Sequence, residues 1–337
     1  MNSAGVDTTV KPVPHTVRMA KRAISTARGR LPGPTRLIQI VATPGSGNGR
    51  AMATAGQLRE ALRARGREVS LELFSGLEQL SRWTATGATR SSLLICVGGD
   101  GTQSTAAMAA VQRSVPFLPV PVGFGNLFGR AFGHPRSVDR VVDLVERGAL
   151  VHSDVGIHRG ELFLCHESFG LLSEIQDRVE RGAYPRARWR RWLAYYRAAV
   201  RHLRDTPLTA LEVTVDGRVV TDDAVVVTVA NVETYGGWLR LTPGTSPVDG
   251  LFDVFVMHGT TKRKVLARLL KRQLRLPGVD EGSQLYQGRR VSVAAPHSAP
   301  AKLQLIPSVL PVVVAPETAR ALERDRALAD HLHRQLA

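Results

Sequence analysis

The sequence predicts an α/β N-terminal domain, with a parallel sheet, covering helices and ligand loops at the strand C-termini, followed by an antiparallel β-rich C-terminal domain. Three observations predict this. Strand, loop and helix alternate four times between residues 36 and 150, the pattern of a parallel sheet wound between helices. Three of those strands run into glycine-rich loops, and such sheets bind ligands at their strand carboxyl ends. From about residue 151 the pattern becomes short alternating segments, two of them joined by Asp216-Gly217, a dipeptide that favours tight hairpins.

Taken in order, residues 1–35 carry Pro12, Pro14, Gly29, Pro32, Gly33 and Pro34 and predict a mobile basic arm with a short helix near 16–27. Arg36–Ala42 is an apolar strand that enters the loop Thr43-Pro44-Gly45-Ser46-Gly47-Asn48-Gly49. A helix follows, carrying Met52, Leu58 and Leu62 to a stop at Gly66. Glu68–Phe74 alternates as a second strand, and Ser92–Val97 is a third that leads into Gly98-Gly99-Asp100-Gly101-Thr102 and an alanine-rich helix ending near Gln112. The fourth strand, Phe117–Val122, ends in Gly123-Phe124-Gly125-Asn126, and Ser137–Arg147 is another helix. The predicted α/β domain thus spans 36–150 and the β-rich domain 151–316, with strands at 161–165, 208–215, 223–230, 251–257, 290–294, 301–306 and 310–315. Helices are expected at 186–204 and 262–275, and the tail 317–337 is a C-terminal helix.

The bulk properties narrow the function classes. A chain of 337 residues, 43% hydrophobic and 22% charged, suits two folded domains of about 150 residues each and excludes a disordered or collagen-like chain. No apolar run approaches the ~18 residues that cross a bilayer, and the first residues lack the layout of a signal peptide. Cys96 and Cys165 lie in apolar strand-like runs, as buried thiols of a reducing cytoplasm do. The net charge of +16 is concentrated: residues 11–36 hold +7, 178–204 hold +8 and 262–275 hold +7, which leaves the remainder mildly acidic. A polyanionic partner follows, to be chosen among nucleic acid, an anionic membrane and phosphorylated small molecules.

Glycine loops after strands suit phosphate, because backbone N–H groups reach an anion that side chains would block; glycines also simply make tight turns. The spacing excludes named motifs. Gly45 to Arg50 lacks the lysine of a Walker A loop, and neither Gly45/Gly47 nor Gly123/Gly125 continues into a dinucleotide fingerprint. His166-Glu167 lacks the second histidine of a zinc-protease helix. Asp100 inside an anion loop would repel its ligand unless it bonds ribose or loop amides, or holds Mg2+ through water.

Gly98-Gly99-Asp100-Gly101-Thr102 after an apolar strand resembles the nucleotide loop shared by diacylglycerol and sphingosine lipid kinases, NAD kinases and phosphofructokinases. Pro44–Gly49, Pro121–Asn126 and Thr242–Asp253 resemble, in order, three further segments of the diacylglycerol/sphingosine lipid kinases, and the likeness spans about residues 36–316. The resemblance implies transfer of the ATP γ-phosphoryl group to a lipid hydroxyl with Mg2+. It implies a nucleotide site of Ser46, Ser75, Gly98, Gly99, Asp100, Gly101, Thr102, Gly123 and Asn126, and a structural Mg2+ held by Asp249 with carbonyls near Ser246 and Leu251. A soluble NAD kinase would share only the Gly-Gly-Asp-Gly-Thr loop.

The sequence also departs from that family. Thr43 stands for an asparagine, Phe124 for a threonine, Leu127 for an acidic residue and Val248 for the first of two aspartates. Most consequential, Ile306-Pro307-Ser308 stands where the family carries Asp-Gly-Glu, the source of its base, and no carboxylate lies between Glu281 and Glu317. A missing base commonly costs ~10²–10⁴ in rate. The catalytic residue is therefore open, with Asp154, Glu167 and Glu174 as candidate substitutes. An alternative is a catalytically impaired lipid- or nucleotide-binding protein on the same fold.

Residues 187–204 place Trp189, Trp192, Leu193, Tyr196, Val200 and Leu203 opposite Arg190, Arg191, Arg197, Arg201 and Arg204, and 265–274 repeat the theme with Val265, Leu266, Leu269, Leu270 and Leu274. Such helices suit an anionic bilayer surface, or pack on the β domain with a solvated basic back. No nucleic-acid module accompanies the charge. The expected partners are an anionic membrane, a lipid alcohol and a nucleotide, with monomer and homodimer both open. The expected location is the cytoplasm, peripherally at the inner membrane face.

Overall fold

The structure, a computed structural model, describes residues 37–86, 91–174, 208–233, 241–259, 261–273 and 282–336. The basic arm 1–35 and the aromatic helix 186–204 lie outside the described residues.

At the centre of the N-terminal half, β1 (Ile38–Ala42) pairs in parallel with β2 (Val69–Leu73) and with β3 (Leu93–Gly98), and β3 with β4 (Phe117–Pro121). Every residue of β1, β3 and β4 is buried, which is why these strands read as nearly continuous apolar runs, with Gln39 the polar exception in β1, instead of alternating. Helix α1 (Arg50–Ala64) covers one face with Ala51, Ala55, Leu58 and Leu62. After the short α2 (Leu77–Thr86) comes α3 (Asp100–Arg113), which buries Ala106, Ala107, Ala109, Ala110 and Val111, small side chains that let it lie close to the sheet. A single turn and a half, α4 (Leu127–Ala131), and then α5 (Val138–Arg147) complete this part.

The antiparallel half consists of β5 (Ala149–His158), β6 (Glu161–Phe163), β7 (His166–Gly170), β8 (Leu211–Val215), β9 (Arg218–Ala230), β10 (Phe252–His258), β11 (Ser283–Gly288), β12 (Arg290–Ala294) and β13 (Ala301–Val314). The expected hairpin is present: β8 turns into β9 through Asp216 and Gly217, both in the left-handed region at φ 46° and 88°, as a two-residue hairpin turn requires. Helix α6 (Lys262–Gln273) packs beside β10, and α7 (Pro316–Leu336) ends the chain.

Two features differ from the sequence reading. The separate strands expected at 301–306 and 310–315 form one strand, β13, interrupted by a bulge where the register with β5 shifts between Ile306 and Leu310. Because β13 also meets β4 in parallel at Val312 and Phe117 and β12 in antiparallel fashion, the described strands join into one sheet in the order β11-β10-β9-β8-β12-β13-β4-β3-β1-β2. Pro307 at the bulge hides this continuity, since proline within a run marks a strand break except at bulges. The strands β5, β7 and β11 and the helix α2 were not expected; His166-Glu167-Ser168 and Ser283-Gln284 carry too little apolar alternation. Cys96 and Cys165 are buried free thiols, as expected, and burial pushes both well above the ordinary thiol range. Among the described residues no helix is long and apolar enough to cross a membrane.

Candidate active site at the glycine loops

Three loops meet at the carboxyl edge of the parallel strands. Ser46 Oγ of the first accepts the Gly99 N–H of the second at 3.0 Å. The Thr43 and Thr102 hydroxyls share a buried hydrogen bond of 3.0 Å. Gln103 Nε2 donates to Gly98 O at 3.1 Å, and Asn126 Nδ2 donates to Gly123 O at 2.6 Å within the third loop. The glycines divide into two kinds. A Cβ on Gly47, which has φ 62°, would collide with the Val122 carbonyl oxygen, and one on Gly123 would lie 2.6 Å from Gly99 Cα. These glycines let the loops touch each other. Gly45 has nothing within 4 Å of its missing Cβ, and it leaves backbone open on the accessible side, where an anion can approach N–H groups.

Asp100 is the first residue of α3 and serves a different helix. Its Oδ1 accepts the Phe128 N–H at 3.3 Å and the Cys165 thiol at 3.6 Å. Asn126, at the N-cap of α4, makes no capping bond because its amide is turned onto Gly123, so Asp100 caps α4 across the loops. Burial pushes the Asp100 carboxyl above its usual range, opposed by the N–H groups of Phe128, Leu127 and Asn126. Of the roles open to this aspartate in the sequence, bonding loop amides is the one seen. Ser75, at the end of β2, gives its N–H and Oγ–H to Gln79 Oε1 at 2.7 and 3.0 Å and so starts α2. Leu77, two residues on, is the nearest neighbour to a Cβ on Gly101, at 3.6 Å, which brings this end of α2 beside the second loop.

A second corner forms where β5 meets the 247–250 turn. Asp154 is fully buried; its Oδ2 accepts Gly250 N–H and its Oδ1 accepts Ser308 N–H, both at 2.7 Å. The Asp154 N–H in turn donates to Pro247 O at 2.8 Å, and Asn231 Nδ2 bridges Asp154 O and Leu164 O at 3.1 and 3.0 Å. Burial pushes the Asp154 carboxyl up to about 6, against those two backbone bonds. This residue pins the aspartate turn and the 306–308 bulge to one strand. The bulge itself carries no carboxylate: Ile306 is buried in the core and Ser308 sits at φ 56°.

Asp249 Oδ1 accepts the Leu251 N–H at 3.0 Å, and burial, with Asp253 and Asp154 nearby, pushes its carboxyl up to about 7. Ser246 Oγ, in the same turn, is buried without a hydrogen-bond partner, and Arg289 Nε donates to Gly250 O at 3.0 Å. Among the described residues no three His, Cys, Asp or Glu side chains group as a metal site. An ion at this turn would therefore use one carboxylate with carbonyl and hydroxyl oxygens. Such hard donors suit Mg2+, and a crowded carboxylate beside an unpartnered hydroxyl fits a cation.

The other two candidate carboxylates lie on or just beyond β7, which pairs with β9. Glu167 Oε2 is 3.8 Å from His158 Nδ1, with its side chain 36% exposed, and Glu174 is partly buried. The family departures are also visible: Leu127 and Val248 are buried in the core, whereas Phe124 is 38% exposed at the third loop. Sequence reasoning missed Gln103, Cys165, Asn231 and Arg289. Cys165 and Asn231 act on residues 65 and 77 positions away, so no local pattern marks them.

Residues 38–157 match the diacylglycerol kinase catalytic domain, and residues 168–305 match the YegS C-terminal NAD kinase beta sandwich-like domain. The chain belongs to the diacylglycerol kinase-like lipid kinase family. Within this lipid kinase family, it is 28% identical over 241 residues to a diacylglycerol kinase of Mycobacterium tuberculosis, covering 68% of this chain and 75% of the relative. It is 29% identical over 168 residues to a diacylglycerol kinase of Bacillus subtilis, covering 49% and 54%. A crystal structure of a diacylglycerol kinase from Bacillus anthracis shares the fold at a TM-score of 0.61 and 18% identity, over 85% of this chain and all of that one. The first matching region ends within β5, the strand that carries Asp154, and the second begins within β7.

Proposed function

We propose that the protein is an ATP- and Mg2+-dependent lipid kinase that phosphorylates the hydroxyl of diacylglycerol or a related lipid alcohol at an anionic membrane surface. The observation that carries this reading is the convergence of the three glycine loops at the start of α3, in a chain of the lipid kinase family. The nucleotide would be held by Ser46, Ser75, Gly98 to Thr102, Gly123 and Asn126. Open backbone N–H groups at a helix N-terminus favour phosphate charge. Asp249, with oxygens of Ser246 and Leu251, would hold Mg2+, which when bound supplies positive charge and fixes the aspartate turn. In the transfer, the lipid hydroxyl oxygen bonds to the γ-phosphorus, the bond to the ADP oxygen breaks, and the hydroxyl proton leaves to a base or to water.

Of the three candidate bases, Asp154 already has both oxygens engaged by backbone N–H groups, which suits a positioning residue. We assign proton acceptance to Glu167, whose carboxylate is partly exposed and lies 3.8 Å from His158 Nδ1, with Glu174 as the second carboxylate to compare. Glu167→Gln is expected to lower kcat by about 10²-fold, the order of a lost general base, with little change in KM or in the unfolding midpoint.

Purified protein given Mg2+ and ATP labelled in the γ-phosphate should move the label onto diacylglycerol, or another lipid alcohol, in anionic vesicles. No labelled lipid from any acceptor overturns the reading. ATP binding without turnover would support the non-catalytic alternative, which rests on the carboxylate-free turn Ile306-Pro307-Ser308.

A further inference from the structure

Next to the Asp154 corner lies a cavity of about 750 Å³, walled by the first half of β5 and by α7, with Val248 also lining it. Its volume is that of ordinary small-molecule sites, ~300–1,000 Å³. None of its lining residues belongs to the three glycine loops. The wall has two chemistries. Leu150, Val151, Val248 and Leu322 supply apolar surface, while Arg320 and Arg326, with the one carboxylate Glu323, supply a net positive rim. Among the described residues no hydrogen bond or ion pair engages Arg320 or Arg326, although Arg326 acts at longer range on Asp154. His152, also in the lining, has a buried Nε2 without a hydrogen-bond partner, and burial and then Arg326 hold its ring below the ordinary histidine value.

We propose that this cavity binds a single-chain amphiphile with an anionic head, a carboxylate or a phosphate monoester. The head meets Arg320 and Arg326, where charge-assisted hydrogen bonds are strongest, and the neutral His152 adds a donor. The hydrocarbon chain lies on the Val248 and Leu322 wall. A volume of this size holds a drug-sized molecule, hence one chain with its head and not a two-chain phospholipid. The site uses none of the residues assigned to nucleotide or Mg2+, so it stands or falls separately from the kinase reading.

Titration calorimetry of the full chain with oleate, oleoyl lysophosphatidate and monoolein, each below its micelle concentration, tests this. At least one anionic probe should bind saturably at one site per chain and at least tenfold more tightly than neutral monoolein; which one binds identifies the head. The double variant Arg320→Ala/Arg326→Ala, at exposed positions, should weaken that probe by tenfold or more without moving the ligand-free melting temperature. Ala319→Trp, which fills the cavity, should abolish binding. Equal binding of monoolein, unchanged affinity in the arginine variant, or no saturable binding of any probe overturns the proposal.

Discussion

A Cβ at Gly47 has no room, whereas one at Gly45 meets open space, and this difference sorts glycines that look alike in the sequence. Gly47→Ala places a side chain both at φ 62° and against the Val122 carbonyl, and should cost about 1–3 kcal/mol in denaturant unfolding and at least tenfold in nucleotide affinity. Gly45→Ala should leave stability within about 0.5 kcal/mol, and reduced nucleotide binding in that variant would mark backbone approach by the ligand. Asp154 is the second decisive residue. Asp154→Ala strips acceptors from the buried N–H groups of Gly250 and Ser308, each costing roughly 1–3 kcal/mol when unsatisfied. A loss under 1 kcal/mol by urea unfolding would contradict its bracing role. The glycine loops are legible in the sequence as a candidate phosphate site, but that Gly47 and Gly123 serve loop packing depends on neighbours up to 75 residues away.

At the scale of elements, α4 has fewer than two turns and a misdirected N-cap, so its start depends on Asp100 from the second loop. Removing that acceptor by Asp100→Ala should cost about 0.5–2 kcal/mol, the range of a lost cap, and should loosen the third loop. Its check is amide hydrogen exchange at Leu127 and Phe128, which should quicken more than exchange in α3. Helix α6 takes the second of the two amphipathic readings, packing on the β domain with a basic back. Val265 and Leu269 are buried against Phe255 and Met257, Arg272 lies over the Phe255 ring at 4.8 Å, and Arg268 Nη1 donates to His258 O at 2.6 Å. Its apolar face belongs to the core, so contact with a membrane would come through Lys262, Arg263, Lys264, Lys271 and the 37% exposed Leu270. Binding to anionic vesicles should then be chiefly electrostatic, worth ~1 kcal/mol per basic residue at low salt, and fall steeply as salt is raised in a sedimentation assay. The sequence shows an amphipathic helix and its polarity; whether the apolar side meets protein or lipid depends on the sheet beside it.

For the whole molecule, β13 is the member that joins the parallel and antiparallel strands into one sheet, and His134 buttresses it. The His134 Nε2–H donates to Val313 O at 2.7 Å, and burial outweighs its hydrogen bonds to push the ring down to about 4. The unfolded chain, with an ordinary histidine near 6.5, binds the proton first. The contribution of His134 is therefore complete above pH 6.5 and is lost as pH falls from there towards 4, about 2 kcal/mol of it by pH 5. Urea unfolding at pH 7 and 5 should show that His134→Gln reduces the pH dependence by this amount. By itself the sequence determined the fold class, the three glycine loops and the kinase family, because burial on both faces makes strands apolar throughout and because phosphate loops need glycine in short, contiguous patterns. Only the tertiary structure decided that Asp100 caps a helix, that Asp154 braces two turns and that β13 bridges the sheet. Those roles are contacts between residues far apart in the chain, and local propensity carries no record of them.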